Sequence, residues 1–260
     1  MLSEDQKRHY DTFGFVILPG LFSAAEWAQI KRETEAVFAE VHGDKWANPE
    51  ERLSVSPFFE RRPYMASLMS DDRIYGIGED LLGPDFVLDG TEGHRHVGDT
   101  HWHGGQGSKP IVHIIKIAFY LDPLTKDTGA LRLIPGSHTP EFGAKLKAYQ
   151  GFSHDADVLP FGIPHEEIPC VAFEPQVGDV AVFTEPCYHA SYGGYPGRYQ
   201  LAVNFFENPT TDKQVEDLWM QYERARWSFR PLRSHVESDD PRRRRMVARL
   251  LELGHETLDH

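Results

Sequence analysis

Ile111-Val112-His113-Ile114-Ile115-Lys116-Ile117-Ala118-Phe119-Tyr120-Leu121 is a run dominated by β-branched and aromatic side chains. Residues of this kind favour the pleated, packed surface of a strand. Ala130–Ile134, Val171–Phe173, Asp179–Phe183 and Tyr199–Phe206 have the same texture, and Gly, Pro and Asp interrupt the chain between them. Several short strands broken by turn residues indicate an antiparallel sandwich or barrel, not an alternating α/β fold.

On either side of this region the periodicity is helical. Ser3–Phe13 reads as a helix stopped at Gly14, followed by a strand at Phe15–Leu18 that ends in Pro19-Gly20. Ser23-Ala24-Ala25-Glu26 is a capping box, in which the hydroxyl and the carboxylate each satisfy a backbone donor at the start of a helix reaching about Val41. Helical patterns also cover Asp72–Leu82, Asp212–Arg226 and Pro241–Leu253. The expected architecture is α+β in one domain over residues 1–260: a helical part (1–85), a β core (86–208) and a second helical part (209–260).

Composition excludes some function classes. A formal net charge of −13 opposes a nucleic-acid partner, which needs clustered bases outweighing the acids. The basic run Arg242–Arg245 reads as a solvated helix face. No apolar stretch is long enough to span a bilayer, and the first ten residues are too polar for a secretory signal, so a cytoplasmic location without a membrane partner is expected. Cys170 and Cys187 stand outside any metal-type spacing and are expected as reduced thiols. Nothing in the sequence fixes an oligomeric state.

The chemistry gathers in Gly98-Asp99-Thr100-His101-Trp102-His103-Gly104-Gly105 and in His189-Ala190-Ser191-Tyr192. If the first stretch is extended, His101, His103 and position 105 share one face. Imidazoles suit iron, zinc, copper and nickel, and two histidines with a carboxylate form the facial triad of non-haem iron oxygenases. With 14 histidines in the chain, spacing alone does not select the ligands. Lys116, in its apolar strand, requires an anionic partner if it faces inward. His94, His96 and His113 are left as structural or substrate-facing.

The order of these segments resembles the phytanoyl-CoA dioxygenase family. Gly14–Gly20, Gly98-Asp99-Thr100 ahead of Trp102-His103, Leu121–Leu124 and Thr128–Leu131 carry the resemblance. Ile134–His138, Gly178-Asp179-Val180 and the His189 segment followed by Arg198 continue it. The resemblance implies a double-stranded β-helix (a cupin-like jelly roll) with flanking helices, Fe(II), 2-oxoglutarate and O2 as cofactors, and a small-molecule substrate. It places the metal on His103 and His189 and 2-oxoglutarate on Arg198 and Ser191, with Lys116 as a further candidate. The Arg198 guanidinium fork suits a carboxylate. His101, Trp102 and Tyr192 are tentative substrate-pocket residues.

The chain departs from the family's H-x-D motif at Gly105. In related 2-oxoglutarate halogenases this position is Ala or Gly and a halide occupies the carboxylate's place. The resemblance therefore implies chloride or bromide at Gly105 and halogenation of an unactivated sp3 carbon. Three alternatives stay open: a hydroxylase with a rearranged third ligand such as Asp99, a site of three histidines that uses His101, and a non-catalytic binding jelly roll.

Overall fold

The computed structural model describes residues 2–105, 112–149, 159, 162–224 and 228–259. Its strands are β1 (Phe15–Leu18), β2 (Leu53–Val55), β3 (Val87–His96), β4 (Thr100–His103), β5 (Ile114–Tyr120), β6 (Leu131–Leu133), β7 (Val171–Phe173), β8 (Val180–Thr184), β9 (His189–Ser191) and β10 (Arg198–Phe206). They form two antiparallel sheets, six strands in the order β1-β8-β5-β10-β3-β2 and four in the order β4-β9-β6-β7.

The run that opened the sequence reading becomes β5, with β8 on one side and β10 on the other. Its two faces serve different purposes. Ile115, Ile117 and Phe119 are fully buried in the main core, beside Leu201 and Val203 of β10 and Val180 and Val182 of β8. Burial stabilises each such side chain by about 1.5–3 kcal/mol. Lys116, Ala118 and Tyr120 face the other way, towards the four-stranded sheet. There Ala118, Ala181 and Phe183 meet Leu131, Leu133 and Phe173. Two facing antiparallel sheets with polar groups admitted between them make a double-stranded β-helix.

Helices pack around the sheets. They are α1 (Glu4–Phe13), α2 (Ala24–His42), α3 (Pro63–Leu68), α4 (Asp72–Leu82), α5 (Pro140–Lys145), α6 (Asp212–Arg224), α7 (Arg233–Val236) and α8 (Pro241–Glu252). Ser3 and Gln6 cap α1, which ends at Gly14 with φ 83°. Ser23 and Glu26 cap α2, as their spacing implies. Trp27, Ile30 and Phe38 of α2, Ile74 and Ile77 of α4, and Met246 and Val247 of α8 complete the main core, which places α2, α4 and α8 on the outer face of the large sheet.

Several expectations need correction. Strands β2, β3 and β9 and the short helices α3, α5 and α7 are not anticipated from the sequence. β5 begins at Ile114, and Ile111 lies outside the described residues, as do residues 225 and 226 of the helix expected over Asp212–Arg226. The basic run is more than a solvated face. Arg242 reaches Asp72 at 2.6 Å, Arg245 reaches Asp85 at 3.0 Å and Arg243 donates to Ser234 O, so the run ties α8 to its neighbours. Both cysteines are free thiols, with Cys187 buried. No helix among the described residues is long and apolar enough to cross a membrane.

Candidate metal and cosubstrate site

The site grows from the pairing of β4 with β9. Thr100 lies opposite Ser191 and His103 opposite His189, so four residues of β4 run against three of β9 and the register shifts between them. That bulge overturns simple alternation: Thr100 and His103 both line a cavity of about 160 Å³ between the sheets, and His101 does not. His101 packs edge-on against Tyr192. Trp102 is buried with Ile134, Tyr188 and Tyr192 in a separate cluster, its indole N–H donating to His165 O at 2.8 Å. His101, Trp102 and Tyr192, expected as tentative substrate-pocket residues, do not line this cavity.

The His103 and His189 rings stand 4.0 Å apart between centroids. His103 Nδ1 lies 2.8 Å from His101 O, and His189 Nδ1 lies 2.8 Å from Cys187 O. A carbonyl only accepts, so both Nδ1 atoms carry the proton and both lone pairs sit on Nε2. Fixing the tautomer through the second ring nitrogen is how metal-ligating imidazoles are oriented. Among the described residues no group of three His, Cys, Asp or Glu side chains could hold a metal. In this arrangement neither Asp99 nor His101 is grouped with the pair.

Gly105 follows in the left-handed region at φ 71°, its N–H donating to Pro186 O at 2.8 Å. At Gly104 a Cβ would lie 2.7 Å from Tyr188 Cα. The turn after His103 therefore packs directly on the turn before His189.

At the other end, Arg198 is only 2% exposed. Its guanidinium donates to Tyr195 O (3.0 Å), Gly98 O (2.7 Å) and Ser191 Oγ (3.3 Å). Among the described residues no carboxylate pairs with it. A Cβ at Gly194 would fall 2.0 Å from its Nη1 and one at Gly129 2.5 Å from its Nε, so these glycines make the room it occupies. Burial pulls the Arg198 pKa down, a sign of how little solvent supports its charge. A buried guanidinium whose hydrogen bonds go to neutral oxygens can accept an external carboxylate as a partner.

Lys116 does face inward, but its anion belongs to the protein. Its Nζ lies 2.5 Å from Glu92 Oε1, and His94 Nε2 lies 3.2 Å from Glu92 Oε2. Burial opposes ionisation of both partners, yet the pair outweighs it, raising the Lys116 pKa and lowering that of Glu92. Sequence reading missed the inward row of Glu92, Tyr120 and Gln200. The alternation Glu92-Gly93-His94-Arg95-His96, with Gly93 and Arg95 buried on the opposite face, was the signal.

A double-stranded β-helix with a histidine pair at one side of its cavity and a buried arginine at the other defines the class of iron and 2-oxoglutarate oxygenases. Residues 10–194 match the phytanoyl-CoA dioxygenase family, and the chain belongs to it. The ectoine dioxygenase of Sphingopyxis alaskensis is 25% identical over 154 residues, 53% of this chain and 50% of that protein, so the match spans half the relative's length. HygX from Streptomyces hygroscopicus, solved with nickel and 2-oxoglutarate bound, superposes with a TM-score of 0.63 at 20% identity, covering 81% of this chain and 89% of its own. SnoK, a non-haem α-ketoglutarate-dependent carbocyclase from nogalamycin biosynthesis, gives a TM-score of 0.60 at 20% identity over 80% and 85%. These structural likenesses establish the fold.

Proposed function

We propose that the chain, as one domain over residues 1–260, is an Fe(II)- and 2-oxoglutarate-dependent halogenase acting on an unactivated sp3 carbon of a small molecule. Two features favour iron and 2-oxoglutarate: the histidine pair with its tautomers fixed, and the buried Arg198 with no carboxylate of its own among the described residues. His103 and His189 would hold the metal through Nε2. Arg198, with Ser191 beside it, would hold the far carboxylate of 2-oxoglutarate. Lys116 is engaged by Glu92, so its part is to keep that wall neutral and ordered.

When bound, iron with 2-oxoglutarate, O2 and a halide supplies hydrogen abstraction from R–H and transfer of the halogen: R–H, X⁻, H⁺, 2-oxoglutarate and O2 become R–X, succinate, CO2 and H2O. The protein's share is positional. The Nδ1–carbonyl contacts aim both imidazoles, the arginine fork fixes the cosubstrate's orientation, and Gly105 leaves both space and a missing negative charge where the family's aspartate stands.

Gly105 is the observation that carries the halogenase reading. The similarity to ectoine dioxygenase favours a second reading, oxygenation with water in the third protein-ligand position. Crystals grown anaerobically with Fe(II), 2-oxoglutarate and bromide separate the two. An anomalous bromine peak bonded to the metal beside Gly105 is expected; a water there, with bromide in the medium, would favour the oxygenase. Absence of iron-dependent succinate formation in the presence of substrate candidates would remove both in favour of a binding protein.

A further inference from the structure

The cavity wall formed by the large sheet has a charge left over once its internal pairs are accounted for. Glu92 is matched by Lys116 and His94, and His94 Nδ1 contacts Ser54 Oγ at 2.8 Å, so that chain of groups is satisfied. His96 is held neutral: burial, reinforced by His94, Arg52 and Arg198, pushes its pKa down to about 3. Arg198 is committed to the cosubstrate on the reading above. Arg52 remains. It lines the cavity from its exposed edge, and among the described residues no hydrogen bond or ion pair engages its guanidinium.

The chain carries 40 acidic residues against 27 basic ones, and the next arginines along it, Arg61 and Arg62, are engaged with Pro57 O and Glu40. Arg52 stands directly before β2. Leu53 pairs with Arg95 in the β2–β3 ladder, and His96 pairs with Arg198 in the β3–β10 ladder. Arg52 comes one residue before Leu53, and Arg52, His96 and Arg198 all line the same cavity.

We propose that Arg52 is a specificity-determining residue that binds an oxyanion, a carboxylate or phosphate, on the substrate, with His96 lining the same cavity. The cavity then reads as two anion receptors, the buried one for 2-oxoglutarate and the outer one for the substrate. The inference rests on the cosubstrate assignment to Arg198, and direct binding measurements keep the two apart.

Protein loaded anaerobically with Fe(II) and saturated with 2-oxoglutarate should be titrated calorimetrically with matched probes: nucleoside 5′-monophosphates against their nucleosides, and amino and hydroxy acids against their amides. At least one anionic member is expected to bind about tenfold or more tightly than its neutral counterpart, and the phosphate and carboxylate arms identify which oxyanion is read. Arg52→Gln should erase that preference, Arg52→Lys should retain part of it, and 2-oxoglutarate affinity in Arg52→Gln should stay within about twofold of the parent. No anionic probe preferred over its counterpart, or a preference surviving Arg52→Gln, would overturn the proposal. Failure of 2-oxoglutarate to bind the parent protein would instead strike the underlying reading.

Discussion

His103 and His189 are direct cross-strand partners, and each points Nδ1 at the carbonyl two residues before it, His101 O for one and Cys187 O for the other. The same local hydrogen bond thus sets both imidazoles in the same tautomer from two distant segments. His189→Ala is expected to cut retained iron by roughly 100-fold or more in equilibrium dialysis, whereas His101→Ala keeps its backbone carbonyl and should change it by less than about threefold. Equal losses from the two variants would restore a three-histidine site.

Arg198 depends on glycines as much as on its own charge. Gly194→Ala leaves the guanidinium in the chain but drives a methyl to within 2.0 Å of its Nη1. The fork must shift, so 2-oxoglutarate affinity should fall about tenfold or more by titration, a loss approaching that of Arg198→Lys, which keeps a charge but not the fork. Gly90→Ala, where a Cβ meets nothing within 4 Å, is the control and should leave affinity unchanged.

The sequence makes β1, β5, β8 and β10 of the large sheet and the capped helices legible because each is governed by local chemistry. Phe119 and Ile117 state a strand through their own propensity, and Ser23 with Glu26 states a helix start through a short-range hydrogen bond. The site is legible as far as motif order reaches: His103, His189, Ser191 and Arg198 converge on one cavity. Its details are not. The bulge between Thr100 and His103 exists because β9 and the Pro186–Tyr188 turn dictate the register of β4, and no periodicity within 98–105 encodes a partner strand. Lys116 shows the same limit, since its counter-ion Glu92 becomes a neighbour only when β10 brings β3 and β5 together.

Glu26 couples the cap of α2 to α4. It accepts from Ser23 N and Oγ and from Arg73 Nη2, at 2.8, 2.7 and 2.8 Å. The Arg73 contact first, and Ser23 after it, pull its pKa from 4.5 down to about 2. A carboxylate with a depressed folded-state pKa stabilises the protein above its unfolded value, and that contribution disappears as pH falls from about 4.5 to about 2. Glu26→Gln should therefore cost about 1 kcal/mol at pH 7 after allowance for solvent screening. In denaturant titrations the difference between variant and parent should close by pH 2, and a gap independent of pH would contradict the assignment.

The Lys116–Glu92 pair separates structural from cosubstrate roles on the cavity wall. Both side chains are half-buried on the cavity wall where β3 and β5 flank β10, so Lys116→Met strands a carboxylate with only the His94 ring beside it, at a cost of about 2–3 kcal/mol after allowance for partial exposure. Combining it with Glu92→Gln removes the stranded charge and should recover most of that loss, giving a large coupling in a double-mutant cycle. If the lysine served 2-oxoglutarate directly, the double variant would bind it as poorly as Arg198→Lys does. Because its ammonium is already matched by Glu92, 2-oxoglutarate affinity in the double variant should remain within about threefold of the parent. A loss comparable to that of the Arg198 variant would place Lys116 among the cosubstrate ligands and leave Glu92 as the group that orients it.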